Sequence, residues 1–165
     1  FIKQYAQAGL QGKIPLYSVF TVDSIALPKL QKANMNGVMG SVMTQFWAPD
    51  LDTPQNKKFV SGFKKKYGRY PSFYAAQSYD TIFLIKSAVE AVEGDLSNKD
   101  GMRAAMEKAN FPSVRGKFSY GNNHFPIQNF YSREVVKDSD GVWTTSVREV
   151  VLKNHQDTYA KDCSM

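Results

Sequence analysis

Residues 37–43 read Gly-Val-Met-Gly-Ser-Val-Met, and residues 15–20 read Pro-Leu-Tyr-Ser-Val-Phe. Both are short apolar runs, the pattern of strands covered on two faces in a parallel sheet. Helical signals alternate with them. Residues 1–9 keep a helical pattern up to Gly9. Asp23 or Ser24 can cap a helix running to about Asn34, with Ile25, Leu27 and Leu30 on its apolar side. Thr53-Pro54 is an Ncap and N1 pair for a helix that ends at Tyr67, before Gly68. The order helix, strand, helix, strand, helix predicts an α/β unit with a parallel sheet.

Working outward, residues 73–93 carry Ala75, Ala76, Tyr79, Ile82, Phe83, Ala88, Val89 and Val92 at helical spacing and stop at Gly94. Ser97 is the expected cap of a further helix to Ala109, with Met102, Ala105 and Met106 inward. The last third changes character. Val114–Tyr120, Phe130–Lys137 and Val142–Val151 read as strands, and Asp138-Ser-Asp-Gly141 reads as a hairpin turn. The tail from Lys153 is polar.

Composition excludes several classes. Of 165 residues, 42% are hydrophobic and 22% charged, an ordinary globular balance that can bury a core. No apolar run approaches the length of a membrane span. The net charge of +6 invites an anionic partner. The one basic cluster, Lys57, Lys58, Lys64, Lys65, Lys66 and Arg69, falls on the helix that carries Phe59, Val60, Phe63 and Tyr67. A solvated helix face is the better reading than a nucleic-acid patch. The chain opens on Phe1 without an initiator Met and reads as cut from the middle of a longer protein. Cys163 has no second cysteine to pair with, and a free thiol or a bond to a cysteine outside this chain are equally open. His124 and His155 lie in different segments, so neither a metal nor a cofactor is expected.

No catalytic motif is present. There is no GxSxG elbow, P-loop or HExxH. Gly37-Val-Met-Gly40 lacks the third glycine of a dinucleotide loop and begins a strand instead of following one. Cys163 and His155 sit in a polar tail with nothing to activate the thiol. Asp50 and Asp52, between Pro49 and Pro54, are loop and cap residues. A small α/β enzyme is therefore the weakest reading. Aromatic density stands out instead. Phe20 and Asp23 follow the first strand, Phe46 and Trp47 the second, and Tyr70, Phe73 and Tyr74 fill a junction between helices. Ligands of open parallel sheets bind beyond the strands' carboxyl ends, in pockets with aromatic walls.

Three stretches carry a family resemblance. They are Ala48-Pro-Asp-Leu-Asp-Thr-Pro-Gln-Asn56 followed by Phe59 through Asp80, Val114-Arg-Gly-Lys-Phe118 followed by Asn123 through Tyr131, and Arg133-Glu-Val-Val136. In order and spacing they resemble the branched-chain amino acid type of periplasmic binding protein, and Asp162-Cys-Ser-Met165 resembles its ending. The resemblance implies a type I periplasmic binding protein fold: two Rossmann-like α/β lobes with parallel sheets, joined by three crossovers, of which this chain is a C-terminal piece. Residues 1–71 would be a second-lobe segment and 72–121 the return to the first lobe. Residues 122–152 would be the last crossover and second-lobe strands, and 153–165 the tail. It implies a periplasmic solute-binding component of an ABC transporter, not an enzyme, with a membrane permease and the protein's own N-terminal half as partners.

Two positions carry over from the resemblance. Phe20 stands where the amino acid binders place an acidic residue against the ligand's ammonium. A buried ammonium needs an opposite charge, so a carboxylate with an apolar or aromatic body fits better than an α-amino acid, unless Asp23 replaces the lost charge. Tyr74 resembles the aromatic that packs on the ligand at the lobe junction. Gln77, one turn on, can offer an amide, and Trp47 completes the expected binding set. The rival of a different class is the effector domain of a transcription regulator with the same fold.

Overall fold

The computed structural model describes residues 1–164; of the closing Asp162–Met165 stretch, Met165 lies outside them. Helix α1 spans Ile2–Gln7, strand β1 Tyr17–Ser18, helix α2 Leu27–Lys32, strand β2 Val42–Gln45 and helix α3 Pro54–Tyr67. Helices α4, Phe73–Ala91, and α5, Lys99–Lys108, follow. Strands β3, Ser119–Tyr120, β4, Pro126–Lys137, and β5, Trp143–His155, complete the chain.

The expected alternation is present, and the sheet is mixed, not all parallel. β1 and β2 are parallel with Tyr17 opposite Val42. β4 then joins β2 antiparallel, Glu134 opposite Val42, and pairs with β5 in a long hairpin. The Asp138–Gly141 turn closes that hairpin, with Gly141 at φ +75 and Asp138 Oδ1 accepting from the N–H of Asp140 and Val142 at 2.9 and 2.8 Å.

Strand lengths differ from the sequence expectation where glycine or a side chain intervenes. Residues 36–38 form a 3-10 turn and Gly40 takes φ +74, so extension begins only at Val42. The run 114–120 is bent by a Ser113–Gly116 turn, and only Ser119–Tyr120 pairs. The polar tail is not wholly peripheral: β5 continues to His155, and Ala160 is buried in a second 3-10 turn.

Capping chemistry sets the helix ends. Thr53 Oγ1 accepts from Asn56 N at 3.2 Å, Pro54 follows, and Gly68 closes α3 at φ +64. Ser72 caps α4 through Ala75 N. Asn98, not Ser97, caps α5 through Gly101 N at 2.9 Å, because Ser97 is held by Asp95. Ile82, one of the apolar residues at helical spacing in α4, is 65% exposed, and Tyr67 at the end of the α3 stripe is 54% exposed.

Two cores result. One holds Ile2, Val22, Leu27, Val38, Met43, Val135 and Trp143, under the sheet face that α2 covers. The other holds Phe46, Trp47, Ala48, Leu51, Phe59, Val60, Phe73, Ala76, Val114 and Tyr131. The second core crosses the 71/72 boundary. The first turns of α4 pack with the segment before them, while the rest of α4 packs on α5.

Candidate functional site

β1 and β2 run parallel, so the chain segments leaving their carboxyl ends emerge on the same side. Phe20 leaves β1 there and Phe46 leaves β2, and the N-terminus of α4 brings Phe73 and Tyr74 to them. Phe73 is the hub. Its ring lies 5.3 Å from Phe20, 6.0 Å edge-on from Phe46 and 4.0 Å from Tyr74. Phe73 and Phe46 are buried, whereas Phe20 is 60% and Tyr74 56% exposed. The result is an open aromatic wall with a buried backing. Both outer rings meet Phe73 at a tilt, 42° for Phe20 and 38° for Tyr74. Gln77 is exposed on the turn of α4 after Tyr74.

Trp47 is not part of this wall. It is fully buried, and its Nε1–H donates to Asn56 Oδ1 at 2.7 Å. Asn56, also fully buried, presents its amide nitrogen to the carbonyls of Ala48, Pro49 and Leu51 at 3.1 to 3.3 Å. The aromatic that sequence placed in the binding set is thus a core residue that pins the loop after β2.

Asp23 is committed as well. Its Oδ1 accepts from the N–H of Ile25 and Ala26 at 2.9 and 3.1 Å, an Asx arrangement that starts α2. It is 8% exposed and its field falls on Arg133. Burial pulls the Arg133 guanidinium down to about 10 against the opposing pull of Asp23 and Asp50. Asp23 is therefore nearly buried and gives its Oδ1 to the backbone that leads into α2.

Sequence reasoning missed the group that buttresses the wall. Asp80, 1% exposed, accepts from Ser113 Oγ at 2.6 Å, Val114 N at 2.9 Å and Arg115 Nε at 2.8 Å. Arg115 Nη1 reaches Gln128 Oε1 at 3.0 Å, and its guanidinium lies 5.5 Å from the Phe46 ring and 4.1 Å from Phe118. One signal was available. Asp80 lies on the buried stripe of α4 with Phe73, Ala76 and Ala88, and a carboxylate there demands a cation. Among the described residues no cluster of three or more His, Cys, Asp or Glu side chains could hold a metal, and no helix is long and apolar enough to cross a membrane. Cys163 is a half-buried free thiol.

The model of the periplasmic binding protein family matches residues 1–141. The chain belongs to that family. A Leu/Ile/Val-binding protein homolog of Brucella abortus is 31% identical over 150 residues, 87% of this chain and 37% of that protein. The periplasmic binding protein chain also superposes on an ABC transporter solute-binding protein of R. palustris solved with benzoate. That match has a TM-score of 0.81 and 32% identity, over all of this chain and 42% of that one. A second, from Rhodopseudomonas palustris BisB5 with 3,4-dihydroxybenzoic acid, gives a TM-score of 0.76 at 27% identity, covering 93% and 42%. A leucine-binding protein of Thermotoga maritima shares the fold, with a TM-score of 0.68 at 24% identity. The chain thus spans about two fifths of its relatives' length, and its fold is that of the type I periplasmic binding proteins.

Proposed function

We propose that this chain supplies one wall of the solute cleft in an extracytoplasmic binding component of an ABC transporter, and that the solute is a small carboxylate with an aromatic or apolar body. The observation that carries the reading is the pair of open rings, Phe20 and Tyr74, against buried Phe73, with the neighbouring acid Asp23 nearly buried and accepting from the backbone of Ile25 and Ala26. An α-amino acid would bring an ammonium to an apolar wall, where an unpaired charge is costly. An aromatic carboxylate brings a ring face. Two relatives over 25% identical were solved with benzoate and a dihydroxybenzoate, which supports the same class.

In this reading residues 1–71 belong to the second lobe, 72–121 return toward the first, 122–152 form the last crossover with second-lobe strands, and 153–165 are the tail. The turns of α4 that share the core with α3 lie at the pivot. Solute contacts from both lobes favour the closed form, and a permease recognises that form. The role is binding, not turnover.

The test is calorimetric titration of the full-length protein with benzoate, 4-hydroxybenzoate, leucine and valine. Benzoates bind and the amino acids do not. Phe20→Ala and Tyr74→Ala each remove one ring contact, worth about 1 kcal/mol, and weaken benzoate binding roughly fivefold to tenfold. Tight binding of leucine or valine with no response to benzoates overturns the reading.

A further inference from the structure

Strand β4 belongs to two ladders. Its first residues pair with β3, Tyr120 opposite Pro126 and Ser119 opposite Ile127. Its later ones pair with β2, from Gln45 opposite Tyr131 to Val42 opposite Glu134. β5 accompanies it through both. The β4–β5 ladder is regular from Arg133 opposite Val147 to Lys137 opposite Trp143, and it reaches back to Gln128 opposite His155. Its irregularities gather where β4 passes from β3 to β2, with register shifts between Gln128 and Phe130, Phe130 and Tyr131, and Ser132 and Arg133. Asn154 on β5 is in the left-handed region at φ +47, and its N–H donates to Asn129 Oδ1 at 2.9 Å. Bulges bend a strand pair and raise its local twist. The bend of this two-stranded ribbon is therefore concentrated at residues 128–133 of one strand and 147–155 of the other.

The tail beyond β5 is tied down. Asn122 Nδ2 donates to the carbonyls of Ala160 and Cys163 at 2.7 and 3.0 Å, which uses both of its protons. Asn123 Nδ2 donates to Asp157 Oδ2 at 2.8 Å, while Asp157 Oδ1 accepts from Tyr159 N at 3.0 Å. Ala160 is 3% exposed. Donors and acceptors of these ties all lie within this chain. Polar chain ends fray unless something holds them, and a tie to any neighbouring surface would serve that end. These three side-chain ties land on one place, the turn between β3 and β4, where His124 N donates to Gly121 O at 3.0 Å. That turn lies on the far side of the bend from β2. β5 is thus fastened on both sides of the bend, by its regular ladder at one end and by the tail at the other.

We infer that the C-terminal tail is a strap that fastens β5 across the bend, so that lobe movement must twist a two-stranded ribbon in place of a single crossing strand. This rests on the transport reading, in which residues 122–129 are the last crossover. With the strap fastened, the ribbon resists twisting and the closed form holds its solute longer. With Asn122 and Asn123 released from the tail, the end of β5 slackens and the lobes part more easily.

The experiment compares full-length wild type with two variants. Asn122→Asp keeps the side chain's size and sets a carboxylate against the carbonyls of Ala160 and Cys163, where an amide had donated to both. The second variant ends the chain after His155. Neither touches Phe20, Phe73 or Tyr74. Stopped-flow release of benzoate reads the hold on the solute, small-angle X-ray scattering of the solute-free protein reads lobe separation, and urea unfolding through Trp47 and Trp143 reads the fold. Both variants are expected to release benzoate at least about fivefold faster and to show a larger radius of gyration without solute, while the urea midpoint moves little. If the shortened chain does not fold, Asn122→Asp decides alone. Release at the wild-type rate with wild-type scattering, whatever the urea midpoint does, makes the tail a packed chain end and overturns the strap while the transport reading stands. Wild type that binds no benzoate overturns the carboxylate reading. Scattering then decides the strap, which falls if the variants keep the wild-type radius of gyration.

Discussion

Asp80→Asn is the sharpest probe of how the wall is held. The substitution conserves shape and removes one charge at a site 1% exposed. Asn keeps one acceptor oxygen, which can continue to take the Val114 N–H. Its amide NH2 then replaces Oδ2, which accepts from both Ser113 Oγ and Arg115 Nε. The serine hydroxyl can rotate to accept. The guanidinium cannot, since it is donor only, and it is left buried with Gln128 as its remaining partner. Breaking a buried ion pair by removing one partner costs about 3–5 kcal/mol, so this variant is expected to lose that much. Arg115→Met in the same background removes the stranded cation and restores a large part of it, giving a coupling energy of about 2 kcal/mol or more. Urea unfolding of the full-length protein, followed through buried Trp47 and Trp143, measures both. A single-variant loss below about 1 kcal/mol, or strictly additive losses in the double variant, would refute the reasoning.

Trp47→Phe leaves Asn56 Oδ1 buried without its donor and should cost about 1–3 kcal/mol, read by urea unfolding through Trp143; no loss would mean the indole N–H is unimportant. Asp23→Ala removes a helix-start acceptor and should cost about 1 kcal/mol in the same assay while leaving solute preference unchanged; a changed preference by calorimetry would return Asp23 to the site. At Asp138, burial pushes the carboxyl upward, but the Tyr70 hydroxyl, the N–H groups of Val142 and Asp140 and the Lys64 ammonium together bring it below its ordinary value. A depressed carboxylate gives stability that is present above its unfolded pKa and lost as pH falls through the folded one. Stability should therefore fall below about pH 4 in wild type, and that acid limb should be shallower in Asp138→Asn, as circular dichroism melts across pH 3–6 would read.

Much of the chain was legible from sequence. Thr53-Pro54 and Gly68 marked α3, the apolar spacing marked α4, and Asp138–Gly141 marked the hairpin, because periodicity, capping and turn chemistry act within a few residues. The order of motifs was enough for the family. What tertiary structure alone decided depends on contacts between distant segments. Whether Trp47 faces a solute or Asn56, whether Asp23 is free or spent on the backbone of α2, and which cation answers Asp80 are set by where the loop after β2, the start of α4 and residues 113–115 meet. The mixed sheet belongs with these, since β4 joins β2 by pairing residues more than eighty positions apart. Local sequence encodes what a segment becomes, and only the assembled core determines which polar groups remain free to bind.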